Sequence, residues 1–208
     1  MEHFYDKPHM GENWFTFPLL YSEMVKRFSS ESHFVEIGSW KGMSAAYMAV
    51  EIANSDKDIK FDCVDIWAMH EGSDIEIKGD TLYETFLNNI APVKHIINPI
   101  RKDSSLTAED YQDNSIDFVF IDGDHSYEGC KKDILAWKSK IKENGVLAGH
   151  DYAWHEPVRR AVADVFGPGN FGDPWRCGCF IFEKIDGKFV PFKGDESTKE
   201  KFVYNVRL

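Results

Sequence analysis

The sequence predicts an α/β fold: a seven-stranded, mostly parallel sheet with helices on both faces and an antiparallel hairpin at its C-terminal end. Three observations predict it. Short apolar runs alternate with helix-period segments from residue 33 to residue 166. A glycine turn, Gly38-x-x-x-Gly42, joins the first such run to a helix-forming segment, Met-Ser-Ala-Ala-Tyr-Met-Ala-Val. Near the C-terminus, Arg176–Lys184 and Lys188–Phe192 flank Asp186-Gly187, a dipeptide suited to a tight hairpin turn.

The elements follow in order. Residues 14–29 carry Leu20, Met24 and Phe28 at spacings of four and predict a first helix. His33–Ile37 is strand one, and Met43–Ala53 is a helix. Phe61–Ile66 is strand two, Thr81–Ile90 a helix, Lys94–Asn98 strand three, Ser105–Tyr111 a short helix and Ile116–Ile121 strand four. Tyr127, Cys130, Ile134, Trp137 and Ile141 step by three and four, predicting an amphipathic helix over 126–142, with Lys138, Lys140 and Lys142 complementing its dipole and Gly145 as the stop. Gly145–Ala148 is strand five. Pro157 opens another helix, with Val158, Ala161, Val162 and Val165 on one face and Gly167-Pro168 ending it. Strand–helix alternation implies parallel pairing through right-handed crossovers.

The 208 residues suit one domain, a core over 33–192 with an N-terminal helical or lid segment over 1–30. No apolar run approaches the roughly 20 residues of a membrane span. The opening Met-Glu-His-Phe-Tyr-Asp lacks the basic and apolar regions of a signal peptide, so a cytoplasmic location is expected. A net charge of −11 argues against a nucleic-acid backbone as partner. Cys63, Cys130, Cys177 and Cys179 lack zinc-site spacing and read as buried free thiols.

In an open sheet of this kind ligands lie beyond the carboxyl ends of the strands, so the residues there carry the functional reading. Strand one ends in Glu36-Ile37-Gly38-Ser39, where Glu36 can reach a cationic amine and the glycines admit a close ligand. The spacing Glu-x-Gly-x-x-x-Gly differs from the Gly-x-Gly-x-x-Gly of dinucleotide binders and favours a cofactor without a pyrophosphate. Strand two ends in Asp65-Ile66, an acid placed to accept hydrogen bonds from two ribose hydroxyls. After strand three, Asp103 and Ser104 suit either an adenine amine or a helix cap. Strand four ends in Asp122-Gly123-Asp124-His125 and strand five in Gly149-His150-Asp151-Tyr152. Neighbouring strands lie about 4.8 Å apart, so these ends can converge. Asp122, His150 and Asp151 would then offer ligands to a divalent cation.

Together these residues resemble the class I S-adenosylmethionine-dependent methyltransferases, and within them the small O-methyltransferase-like group. The likeness covers about residues 33–166 and rests on Val35-Glu36-Ile37-Gly38-x-x-x-Gly42, Val64-Asp65-Ile66-Trp67, Asp103-Ser104, Asp122-Gly-Asp-His-Ser-Tyr127 and Gly149-His-Asp-Tyr152. The resemblance implies a Rossmann-like seven-stranded sheet with its last strand antiparallel. It implies S-adenosylmethionine bound by Glu36, Gly38, Ser39, Gly42, Asp65, Ile66, Asp103, Ser104 and Asp122. In its metal-dependent members the corresponding positions are Asp122, His150 and Asp151, which would hold Mg²⁺ or a similar ion. His150 stands where an oxygen ligand is usual, which favours a softer ion such as Mn²⁺.

The expected reaction is O-methylation of a small hydroxylated acceptor such as a sugar, glycoside or phenol. A metal at Asp122 and Asp151 would bind the acceptor hydroxyl and lower its pKa, or His125 or His150 would act as general base. Trp14, Phe15, Phe17, Trp67 and Trp154 are candidates for the acceptor pocket, with core or lid packing as the alternative. The loop 67–80 and the aromatic segment 3–17 could cover the site, and exposed N-terminal aromatics would suit a homo-oligomer contact. Two other classes fit parts of the pattern: a metal-dependent hydrolase using Asp122, Asp124, His125, His150 and Asp151, and a nucleotide-binding oxidoreductase using the glycine turn and Asp65. A methyltransferase fold without catalysis is a third reading.

Overall fold

The computed structural model describes residues 1–11, 14–68, 81–168 and 173–194. Its strands are β1 (His33–Ile37), β2 (Lys60–Asp65), β3 (Ile97–Arg101), β4 (Ile116–Ile121), β5 (Ile141–Gly149), β6 (Phe180–Ile185) and β7 (Lys188–Pro191). Its α-helices are α1 (Pro18–Arg27), α2 (Met43–Asn54), α3 (Thr81–Asn89), α4 (Ser104–Ala108), α5 (Tyr127–Trp137) and α6 (Glu156–Phe166). The strands form one sheet in the order β3-β2-β1-β4-β5-β6-β7. β1 to β5 pair in parallel, β6 runs against β5, and β7 turns back against β6. The strand that opposes the first five is therefore β6, and the last strand resumes their direction.

Successive strand residues point to opposite faces, which divides the core in two. Phe34, Phe118 and Phe120 pack with α1 and α2 on one face, while Val35, Val119 and Ile121 pack with α5 and α6 on the other. Both faces being covered explains why β4 is apolar along nearly its whole length. The strand order reverses between β1 and β4, and that switch opens a crevice above their carboxyl ends.

Several boundaries differ from the sequence expectation, among them β6, which starts at Phe180 rather than Arg176, and α4, which ends at Ala108 rather than Tyr111. β3 lies three residues later than 94–98, after a 3₁₀ turn at Ala91–Val93, and runs through Pro99. A proline is tolerated there because β3 is the sheet edge. The helix expected over 126–142 ends at Trp137; a 3₁₀ turn over Lys138–Lys140 leads to Ile141, which already pairs with Ile116 in the sheet. Gly145 is then no helix stop. It sits where the β4–β5 register slips, and a side chain there would meet the Asp117 carbonyl at 3.0 Å. Lys140 and Lys142 pair with Asp113 and Asp117 instead of serving a helix end.

α1 starts only at Pro18, so residues 14–17 run as an irregular strap rather than as helix. Asp186 and Gly187 both take positive φ, the conformation a two-residue hairpin turn requires. The four cysteines are buried and unbridged. No described helix is long and apolar enough to cross a membrane. Of the loop 67–80 expected to cover the site, residues 69–80 lie outside the described residues.

Candidate active site

A cavity of about 970 Å³ occupies the crevice. Its walls are the carboxyl ends of β1, β2, β4 and β5 and the strap 14–17. That volume is at the upper end for small-molecule sites, enough for a nucleoside-sized ligand beside a second small molecule. Trp14 and Trp154 are 55% and 56% exposed while lining it, which puts them at its rim. Phe15 and Phe17, the strap's own aromatics, are largely buried yet still line the cavity, and Trp67 is fully buried against Tyr83 and Phe86, away from it.

The glycine turn is built into the strand ends. The Gly38 amide donates to the Val64 carbonyl and the Asp122 amide to the Ile37 carbonyl, tying β2, β1 and β4 together at the site. Gly38 has φ +84°, and a Cβ on it would lie 2.0 Å from the Asp122 carbonyl oxygen. Only glycine fits. Gly42, at φ +88°, turns the chain into α2 and does not line the cavity. Ser39 is buried on the cavity wall, and its hydroxyl has no partner.

Asp65 accepts from the backbone amides of Trp40 at 2.9 Å and Trp67 at 2.6 Å, which fix its carboxylate at the β2 end beside Ile66. Asp103 caps α4, accepting from the Leu106 amide and the Ser105 hydroxyl. The cap reading of Asp103 is thus realised, on the cavity wall. Ser104 accepts from the Trp137 indole at 2.8 Å, leaving its own hydrogen for Asp133 nearby.

Glu36 is placed differently from its neighbours. It is fully buried and lies below the lining residues. One carboxyl oxygen accepts from the Tyr21 hydroxyl at 2.6 Å, and the other is without a partner. Burial pushes this carboxyl up to about 7, against the hydrogen bond from Tyr21 that favours its charged form.

The ends of β4 and β5 do converge. His150 Nδ1 lies 3.6 Å from Asp122 and 3.5 Å from Asp151, and His125 Nε2 lies 2.9 Å from Asp151 and 3.7 Å from Asp122. His155 joins at 3.7 Å from Asp151. One ligand atom each from Asp122, His150 and Asp151 falls within 4.8 Å of the others, a spacing that can close on one ion. Asp151 is buried at φ +61°, in the left-handed region that aspartate enters more readily than most side chains, and this turn sets its carboxylate at the end of β5.

The cluster's charges are coupled. Asp122 and Asp151 hold the His125 imidazole up to about 10. Burial works to lower His150, but the same two carboxylates win and keep it at about 9. Burial likewise works to raise Asp151, and the two imidazoles hold it well below the carboxylate range.

Of the expected site residues, Gly38, Ser39, Asp65, Ile66, Asp103, Ser104, Asp122, His125, His150 and Asp151 line this single cavity, with Glu36 and Gly42 just outside it. Sequence reasoning missed Asp133 and Thr16. Asp133 lines the cavity while largely buried, its carboxyl pushed up to about 6 by burial. Its signal was legible: a charge inside the Cys130–Ile134–Trp137 stripe of α5. Thr16 carries no such signal, because the strap's path is set by tertiary contacts.

Residues 35–152 match a family model described as a methyltransferase domain. An uncharacterised protein of Sinorhizobium fredii is 26% identical over 117 residues, 56% of this chain and 13% of that relative. Among solved structures, a Corynebacterium glutamicum protein is similar with a TM-score of 0.55 at 10% identity, covering 86% of this chain and 82% of its own. The precorrin-6y C5,15-methyltransferase of Geobacter metallireducens is similar with a TM-score of 0.50 at 14% identity, covering 71% and 68%. With its sheet, its glycine cradle and its match from β1 to the end of β5, the chain belongs to the methyltransferase domain family.

Proposed function

We propose that the protein transfers the methyl group of S-adenosylmethionine to a hydroxyl of a small acceptor, with a divalent cation, Mg²⁺ or Mn²⁺, at Asp122, His150 and Asp151. The observation that carries this reading is the junction of two features in one cavity: a cradle closed to any side chain at Gly38, and a three-ligand cluster at the ends of β4 and β5.

The cradle fits the cofactor. The buried, unpartnered Ser39 hydroxyl lies on the cavity wall at the β1 turn, where a methionine ammonium or carboxylate needs hydrogen-bonding groups. Asp65, its carboxylate pre-set by two backbone amides, suits a ribose diol. Asp103, Ser104 and Asp133 form the polar wall for a base.

The cluster fits a divalent ion, since two carboxylates and an imidazole nitrogen supply charge and a borderline donor. A cation held there would lower the pKa of an acceptor hydroxyl. The chain's own residues do the rest. Trp14 and Trp154 at the rim and Phe15 of the strap offer apolar surface to the acceptor and exclude water. His125 is protonated while Asp122 and Asp151 are its partners; with those carboxylates engaged elsewhere it returns toward the ordinary imidazole range and accepts the departing proton. The sulfonium methyl needs only an in-line nucleophile, so positioning is the main demand on the site.

Calorimetric titration with S-adenosylmethionine and S-adenosylhomocysteine, repeated with Mg²⁺, with Mn²⁺ and with chelator, tests the reading. Micromolar binding of S-adenosylhomocysteine is expected. Absence of binding under every condition overturns it.

A further inference from the structure

Thr16 lies at the cavity rim, far in sequence from the strand ends, yet it touches the cation cluster. Its Oγ1 is 2.7 Å from the Cys177 carbonyl and 2.9 Å from His150 Nε2. A hydroxyl has one hydrogen, and a carbonyl oxygen can only accept. The Thr16 hydrogen therefore goes to Cys177, and Thr16 must accept from His150. The proton on the imidazole is thereby assigned to Nε2. The other nitrogen, Nδ1, is the one that faces the Asp122 and Asp151 carboxylates.

The strap is also anchored for this task. Phe15 and Phe17, on either side of Thr16, are buried and pack edge-on against each other at 4.7 Å. Phe17 further contacts the His150 ring at 4.9 Å, and Trp154 flanks that ring at 5.2 Å. Cys177 is buried, and the Asp173 carboxylate accepts from the next two backbone amides, at Gly178 and Cys179. The carbonyl that takes the Thr16 hydrogen thus belongs to a fixed loop.

We propose that Thr16 is a positioning residue of the cation site: its hydroxyl, oriented by the Cys177 carbonyl, holds His150 with Nε2 protonated and aims Nδ1 as a ligand between Asp122 and Asp151. The inference rests on the cation reading above. It makes the N-terminal strap part of the site. It also explains how a histidine serves at this position, since an imidazole ligand needs its second nitrogen held by an outer partner.

Mn²⁺ binding to the full chain, followed by electron paramagnetic resonance at fixed pH, tests it with five variants. Thr16→Val keeps the shape and removes the hydroxyl; Thr16→Ser restores the hydroxyl. Loss of an outer-sphere partner typically weakens metal affinity by about 10- to 100-fold, so at least a tenfold loss is expected in Thr16→Val, with Thr16→Ser within about threefold of the parent. In a His150→Ala background the Thr16→Val change should cost less than about twofold, because its effect runs through that ring. Asp122→Asn, which should weaken Mn²⁺ binding by at least about tenfold, assigns the bound ion to this cluster. Parent-like Mn²⁺ affinity in Thr16→Val, failure of Thr16→Ser to rescue, or an equal loss without His150 each overturns the proposal. A parent protein that binds S-adenosylhomocysteine but no Mn²⁺ removes the cation reading and this inference together, while leaving the methyltransferase reading in place. Retained S-adenosylhomocysteine affinity in Thr16→Val shows that a loss of Mn²⁺ is not unfolding.

Discussion

Replacing Glu36 by glutamine should make the protein more stable in alkaline solution and leave it nearly unchanged in acid. The carboxyl is fully buried, with one oxygen bonded to Tyr21 and the other unpartnered, and it is pushed from 4.5 up to about 7. In the unfolded chain it ionises near its ordinary value. Between about pH 4.5 and pH 7 the folded protein therefore holds a proton that the unfolded chain has lost, and stability falls as pH rises through that window. Above about pH 7 the loss is complete. A displacement of that size corresponds to about 3 kcal/mol. For a chain of this length, 1 kcal/mol moves Tm by roughly 2–4 °C, so the expected penalty is roughly 6–12 °C. Glutamine matches the neutral acid in shape and can donate toward the unpartnered Ser39 hydroxyl. Thermal unfolding of both proteins at pH 4.5 and pH 8 isolates Glu36, because the other titrating groups cancel in the difference. The variant should gain on the parent by about 3 kcal/mol between the two pH values. A gap that does not change with pH would show that Glu36 is already ionised in the fold and refute the burial argument.

Three other substitutions probe the site. Gly38→Ala places a Cβ 2.0 Å from the Asp122 carbonyl at φ +84°; overpacking and backbone strain together should cost about 3 kcal/mol, read as a fall in Tm, and S-adenosylhomocysteine binding should be lost in calorimetry. Asp65→Ala removes the acceptor fixed by the Trp40 and Trp67 amides, and S-adenosylhomocysteine affinity should drop by roughly tenfold or more, as for a hydrogen bond to a charged group; unchanged affinity would remove Asp65 from the cofactor site. Asp151→Asn takes a charge from the cluster and should weaken Mn²⁺ binding by at least about tenfold while sparing S-adenosylhomocysteine, both measured by calorimetry.

Much of this arrangement was legible in the residues because the periodicities are strong where the sheet is buried. Phe34 to Ile37 and Phe118 to Ile121 read as strands since both faces are packed, and the ends they define carry Gly38 and Asp122. The reading weakened where long-range contacts decide. Pro99 is allowed by its edge position, which only the strand order reveals. Ile141 continues the α5 stripe in helical register, yet pairing with Ile116 draws it into β5. Glu36 lies at the expected strand end, but the period-two alternation turns its side chain toward Tyr21 and the α1 face rather than into the cavity. Thr16 could not be read at all, because nothing local fixes the path of residues 14–17.

The histidines at the ends of β4 and β5 are best understood through the charge they balance. Asp122 and Asp151 approach each other closely enough to share one imidazole, and two carboxylates in a half-buried crevice need a positive neighbour. Without an ion that neighbour is the pair of protonated rings, His125 and His150. With one, Nδ1 of His150 must give up its proton, and the Nε2 proton, held by Thr16, is the one that stays. The ring can exchange one role for the other without turning over, since its second nitrogen keeps the same partner in both. A carboxylate at position 150 could not do this: it would add a third negative group to the ion-free crevice. On the proposed cation reading the histidine would balance the charge of the crevice in both states, and the outer hydrogen bond to the strap would hold its ring in one orientation.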